Sequence, residues 1–180
     1  MSNDSRTGIF RLKPDGETGV RMSAEIRAIE EADHDKVVDL LTRRWTSPLQ
    51  LLDGKMVDAS RLPGFIAEEN GEMVGLVTVI KRDEEWEILT LDSLKGQSGT
   101  GTLLLNAVIG DAVEHGIQRI TVRTSNDNLD AFRFYQRRGF RLEGVNPGVI
   151  DEERKMKPEI PMTGEYGIPI HDEVLFARKI

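Results

Sequence analysis

The sequence predicts an α/β (α+β) fold, a mixed and mostly antiparallel central sheet flanked by helices. Three observations carry that prediction. Strand-like segments follow one another on both sides of Asn70-Gly71, helix- and strand-periodic segments alternate after Gly101, and 180 residues suit one domain with a real core.

Residues 1–23 are polar and lack periodicity, so they read as an N-terminal extension, and Met22 leaves an upstream start or vector residues as the alternative. The organised domain is expected over 24–180. Ile26 and Ile29 mark a short first strand. Asp33 is placed to cap a helix whose apolar face is Val37, Val38, Leu40 and Leu41. That helix should end near Thr46-Ser47-Pro48, and Leu49, Leu51 and Leu52 suggest a second short one. Phe65–Glu68 and Met73–Ile80 flank Asn70-Gly71, the preferred pair for a tight type I′ hairpin. A charged turn at Lys81–Glu85 leads into a strand over Trp86–Asp92. A helix over Thr102–His115 puts Leu104, Val108 and Ala112 on one face, and Gly116 stops it. Ile120, Val122 and Thr124 alternate as a strand, Leu129–Arg138 reads as a helix stopped by Gly139, and Phe140–Val145 reads as a strand. The segment Asn146–Ile170, with Pro147, Pro158, Pro161 and Pro169, is expected to be mostly loop before a closing strand at Glu173–Arg178.

Composition excludes several functions. There is no cysteine, which rules out disulfides, thiolate metal sites and a Cys nucleophile. His34, His115 and His171 lack metal-ligand spacing, so no metal is expected. The net charge of −7 argues against a nucleic-acid surface. Apolar runs fall far short of the ~20 residues of a membrane span, and no signal-peptide core is seen, so a cytoplasmic protein is expected.

The most informative segment is Lys95-Gly96-Gln97-Ser98-Gly99-Thr100-Gly101-Thr102, set directly before Leu103-Leu104-Leu105. Glycines let a ligand approach the main chain, and the helix that follows aims free N–H groups and its positive dipole end at the loop. That is an anion cradle. Its spacing fits neither the P-loop, for which no lysine stands near Gly101, nor the dinucleotide fingerprint, which meets Leu104 where a small residue is required.

Downstream stands Asn128-x-x-Ala131-x-x-Phe134-Tyr135-x-x-x-Gly139-Phe140. Together, loop and motif resemble the GNAT superfamily of acyl-CoA-dependent N-acetyltransferases, over about Ala24–Val145. The resemblance implies a single N-acetyltransferase domain at 24–180 with acetyl-CoA as acyl donor. It implies that the pyrophosphate is received by Lys95, Gly96, Gln97, Ser98, Gly99, Thr100, Gly101 and Thr102. It implies that the pantetheine arm pairs with Leu89-Thr90-Leu91, in a wedge opened toward Arg119–Ser125. The main-chain N–H near Leu91 would polarise the thioester carbonyl. Tyr135 would protonate the departing thiolate, and Phe134 beside it belongs to the cofactor side. Glu87, flanked by Trp86 and Ile88, is the candidate base. Asn128 is expected to cap the next helix and touch the arm, and Asn126 to hold an ordered water. The loop departs from the family pattern in one place, with Gly96 where Arg or Gln is usual.

Arg133, Arg137, Arg138 and Arg141 form a basic patch, read as a solvated helix face or as the seat of the 3′-phosphate of CoA. His171 and Tyr166 are expected near the acceptor, whose pocket should draw on Trp45–Leu62 and Asn146–Ile170. Asp151-Glu152-Glu153 favours a cationic small-molecule amine as acceptor. A protein N-terminus or lysine is the alternative acceptor, and an acyl-CoA-binding sensor the alternative function. Edge strands permit a homodimer.

Overall fold

The computed structural model describes residues 24–95 and 99–180. The extension expected at 1–23 lies outside the described residues, as do the cradle positions Gly96, Gln97 and Ser98. The chain runs β1 (Glu25–Ala28), α1 (His34–Trp45), β2 (Leu49–Leu52), β3 (Lys55–Asp58), β4 (Gly64–Glu69), β5 (Glu72–Lys81), β6 (Glu85–Ser93) and α2 (Thr100–Glu114). It continues through β7 (Arg119–Ser125), α3 (Leu129–Gln136), β8 (Arg141–Asn146), α4 (Val149–Met156) and β9 (Glu173–Lys179). Seven strands form one sheet in the order β1-β4-β5-β6-β7-β9-β8, antiparallel except for the parallel β6–β7 pair. The predicted fold class is therefore the observed one.

The Asn70-Gly71 turn has both residues at positive φ, 53° and 79°, as a type I′ hairpin demands. The same chemistry overturns the short helix expected at Leu49–Leu52. Asp53 and Gly54 also stand at positive φ, 50° and 72°, and fold that segment into the β2–β3 hairpin. Gln50 and Leu52 point inward while Leu49 is exposed, a period of two rather than a helical stripe.

Two further expectations are corrected. Asp33 starts α1 but its side chain does not cap it. The carboxylate instead receives Arg27 at 2.7 and 2.8 Å and the Glu30 N–H at 2.9 Å, and Arg27 also grips Glu68. This ties the start of α1 to β1 and β4. The supposed loop at Asn146–Ile170 contains α4. Its apolar signal is thin, with only Ile150 buried, and its charges are ordered along the helix. Asp151 and Glu152 sit in the first turn, Arg154 and Lys155 in the last, joined by i,i+3 ion pairs at 2.7 and 2.6 Å.

Helices cover both faces of the sheet. Val37, Leu40 and Leu41 of α1 pack on Ile66 and Leu76 on one face. Leu104, Val108 and Ala112 of α2, as expected from their spacing, join Val77, Val79, Ile88 and Phe176 on the other. No helix among the described residues is long and apolar enough to cross a membrane.

Gly75 of β5 sets the height of α2 above the sheet. A Cβ there would lie 2.8 Å from the Thr100 methyl, 2.9 Å from the Asp92 carbonyl oxygen and 2.9 Å from a Leu104 methyl. Gly75→Ala should therefore destabilise the protein by about 1–3 kcal/mol through overpacking, read as a lower urea midpoint at unchanged m-value.

Candidate active site

The site is built where β6 and β7 part. They pair only from Glu85–Arg119 to Ile88–Val122, although β6 continues to Ser93 and β7 to Ser125. The β5–β6 register skips Leu89 between Thr78–Thr90 and Val79–Ile88, a bulge that bends β6 away at the last paired residue. Beyond it, the Leu94 N–H donates to the Val74 carbonyl. Antiparallel bonding alternates, so Asp92 and Thr90 face β5 with their N–H groups while Leu91 and Ser93 turn theirs toward the gap. Leu91 therefore presents a main-chain donor to the wedge.

A cleft of about 920 Å³ occupies this wedge. Leu89 and Leu91 line it, whereas the Thr90 side chain is buried on Thr78, their hydroxyls 2.7 Å apart. At its far end stands the N-terminus of α2. Gly99 caps that helix at φ 80°, and Gly101 and Thr102 line the cleft. A Cβ on Gly101 would come 3.2 Å from the Phe134 ring, so glycine keeps the two helices close. Thr100 is buried, and Lys95 carries its ammonium on Glu69.

The basic patch divides. Arg133, Arg137 and Arg138 line the cleft, and Arg141 lies on edge strand β8. Arg138 is held most firmly. Its guanidinium stacks 3.7 Å from the Phe134 centroid, donates to the Phe134 carbonyl at 2.9 Å and reaches the Thr102 hydroxyl at the start of α2. A cation fixed beside a helix N-terminus is a binding surface for a polyanion.

Tyr135 faces the same cleft, buried, its ring edge-on to Phe134 at 5.1 Å and against Phe140 at 5.3 Å. Burial, and then the nearby Asp92 carboxylate, push its phenol above the usual tyrosine range, so it remains a proton donor at neutral pH. Asp92 is itself fixed by the Trp45 indole N–H at 2.7 Å and by Arg44 at 3.2 Å, which brings the end of α1 to the cleft wall. Asn128 lines the cleft and accepts the Ala131 N–H at 2.9 Å as the cap of α3.

A second cavity, of about 360 Å³, opens from the same gap. Both cavities share Arg44, Trp45, Ile88, Leu89, Arg123, Thr124 and Asn128 as walls. The smaller one is enclosed by β2, α4 and Glu159-Ile160-Pro161. These segments lack a core of their own and are bound by polar contacts. Arg154 donates to the carbonyls of Ile160, Pro161 and Ile170, Lys157 to the Leu49 carbonyl at 2.9 Å, and Arg123 to Asp53 at 2.7 Å.

Glu87 lies in this pocket at 2% exposure, with one carboxylate oxygen 2.9 Å from Arg123 Nε and the other 3.0 Å from Arg82. Asn126 sits apart from both cavities. Its side chain donates to the Pro169 carbonyl and accepts the His171 and Asp172 N–H groups, so it ties β7 to the final loop. His171 and Tyr166 are likewise spent elsewhere, on Asp151 at 2.9 Å and on Asp130 at 3.1 Å. Within the acidic run, Asp151 and Glu152 are paired on α4 and Glu153 lines the pocket. Arg123 and Lys157 went unrecognised in the sequence, since a charged residue on a strand or after a helix carries no signal until the chain folds.

Comparison with known proteins agrees with this geometry. Residues 26–140 match the Acetyltransferase (GNAT) family model. The uncharacterized protein YdhI of Bacillus subtilis is 37% identical over 145 residues, 80% of this chain and 91% of that protein. A GNAT family acetyltransferase from Elizabethkingia anophelis with acetyl-CoA bound superposes with a TM-score of 0.66 at 18% identity, over 88% of this chain and 99% of that one. Arabidopsis thaliana Naa50, in complex with the bisubstrate analogue CoA-Ac-MVNAL, gives 0.65 at 18% identity, over 88% and 99%. The wedge between β6 and β7, the start of α2 at the end of the cleft and the matched family model lead to one conclusion: this chain is a member of the GNAT family of acetyltransferases.

Proposed function

We propose that the protein transfers the acetyl group of acetyl-CoA to a primary amine of a small molecule, by direct attack within a ternary complex. The observation that carries this reading is the junction of the two cavities at the β6–β7 gap. A donor arm in the larger cleft and an acceptor in the smaller pocket would meet beside Leu89, which lines both, without leaving the protein. The pocket draws its walls from segments far apart in the chain, and its volume of about 360 Å³ suits a small molecule better than a folded protein surface. On its walls Glu87, Glu153, Glu159 and Glu173 outnumber Arg44, Arg123 and Lys157, and that acidic excess favours a cationic acceptor.

Each residue then takes a definite part. The start of α2, with Gly101, Thr102 and Arg138, holds the pyrophosphate. The Leu91 N–H stabilises the oxyanion, worth roughly 3 kcal/mol when such a donor is fixed in place. Tyr135 protonates the leaving thiolate. Glu87, whose oxygens are already committed to Arg82 and Arg123, fixes Arg123 at the mouth between the two cavities.

The decisive experiment incubates the protein with acetyl-CoA and, separately, polyamines, aminoglycosides, amino acids and N-terminal peptides, reading thiol release. Turnover of a small amine supports the proposal, turnover of peptides alone would move the acceptor to protein, and binding without turnover would make the chain a sensor. Tyr135→Phe should lower kcat by about 100-fold while acetyl-CoA affinity stays nearly unchanged, since the phenol acts in the transition state. Arg138→Ala removes a charge-assisted contact of about 1.5–3 kcal/mol, so the acetyl-CoA Kd should rise roughly 10- to 100-fold in calorimetry and depend less on salt.

A further inference from the structure

Resting on the acetyltransfer reading above, we propose that Glu153 of α4 is the catalytic base that takes a proton from the acceptor ammonium in the smaller pocket. The two buried-pocket carboxylates at the β6–β7 end differ in what they already hold. Glu87 has a guanidinium on each oxygen. Glu173 accepts from Asn146 at 2.8 Å and stands 3.5 Å from Arg123. Among the described residues, Glu153 has no hydrogen-bond or ion-pair partner on its carboxylate, yet it is half-buried on the pocket wall. Its lone pairs are open to a ligand.

The charged groups around it come from every neighbouring element: Glu173 on β9, Arg123 on β7, Lys157 just past α4, and Asp53 in the β2–β3 turn. Burial, and then repulsion by Glu173, outweigh the two cations and raise the carboxyl to about 7. A group of that strength is deprotonated in half the molecules at neutral pH and returns its proton readily to solvent.

The step balances. An ammonium gives one proton to Glu153, and the neutral amine attacks the thioester carbon. The C–N bond forms and the C–S bond breaks. Tyr135 gives its proton to the thiolate and regains one from the nitrogen through solvent, leaving an amide, a free thiol and one proton on Glu153. That last proton passes to water.

The test compares wild type, Glu153→Gln and Glu153→Asp on the amine that wild type turns over best, with kcat and kcat/KM taken from pH 5.5 to 9. Wild-type kcat/KM should rise with pH through about 7. Glu153→Gln should lose that limb and about 100-fold in kcat, and Glu153→Asp should recover part of both. Acetyl-CoA affinity should be unchanged. Because folding raises this carboxyl from 4.5 to about 7, stability is lost as pH rises between those values and the cost is complete at pH 8, where Glu153→Gln should melt no lower than wild type. A Gln variant that keeps its kcat and its pH limb overturns the assignment while leaving the acetyltransfer reading intact. A rise in KM alone overturns it too, reducing Glu153 to an ammonium-binding group. A wild type that binds acetyl-CoA but acetylates neither amines nor peptides overturns both proposals.

Discussion

The separation of β6 from β7 is the constraint on which the rest of the molecule depends. A parallel pair that kept its ladder to the end would leave no room for a ligand between two central strands. Here the pairing stops at Ile88–Val122, and the extra residue Leu89 converts the last stretch of β6 into an edge inside the sheet. Interior edges are costly, because their N–H and C=O groups face no partner. An extended, amide-rich molecule entering the gap would satisfy them, which is what the proposed seating of the pantetheine arm requires.

Around that gap, charge is arranged with a consistent polarity. The outer cleft is cationic, with Arg133, Arg137 and Arg138 near the positive end of α2. The inner pocket carries Glu87, Glu153, Glu159 and Glu173 against Arg44, Arg123 and Lys157. Arg123 stands where the two meet, contacting Glu87, Glu173 and Asp53 from three different elements. Its position means that the hairpin turn, the β6 floor and the last strand are coupled through one guanidinium. The outer pocket wall is similarly dependent on Arg154, which binds three carbonyls of the chain between α4 and β9. Proline-rich backbone is thereby held without a core of its own.

Much of this was legible before folding because the signals were local. Asn70-Gly71 specified its turn, and the spacing of Leu104, Val108 and Ala112 specified the buried face of α2. The motif from Asn128 to Phe140 placed Tyr135 and Phe134 on one short helix facing the cradle. Where local signals competed, reading failed. Three leucines at 49, 51 and 52 suggested a helix, and the neighbouring Asp53-Gly54 turn, which forbids one, prevailed. In α4 the stabilising features are end charges and i,i+3 pairs, invisible to a search for apolar periodicity.

The sequence by itself determined the fold class and the family, because both follow from short stretches whose spacing constrains backbone geometry. Only the tertiary structure decided what each polar side chain is used for. Glu87, Asn126 and His171 have suitable chemistry for an active site, but their partners come from residues far along the chain. Glu153 looked like one of three equivalent acidic residues until α4 turned two of them toward internal cations and the third into the pocket. A side chain's availability depends on which donors the fold brings within 3 Å of it, and that information is not local.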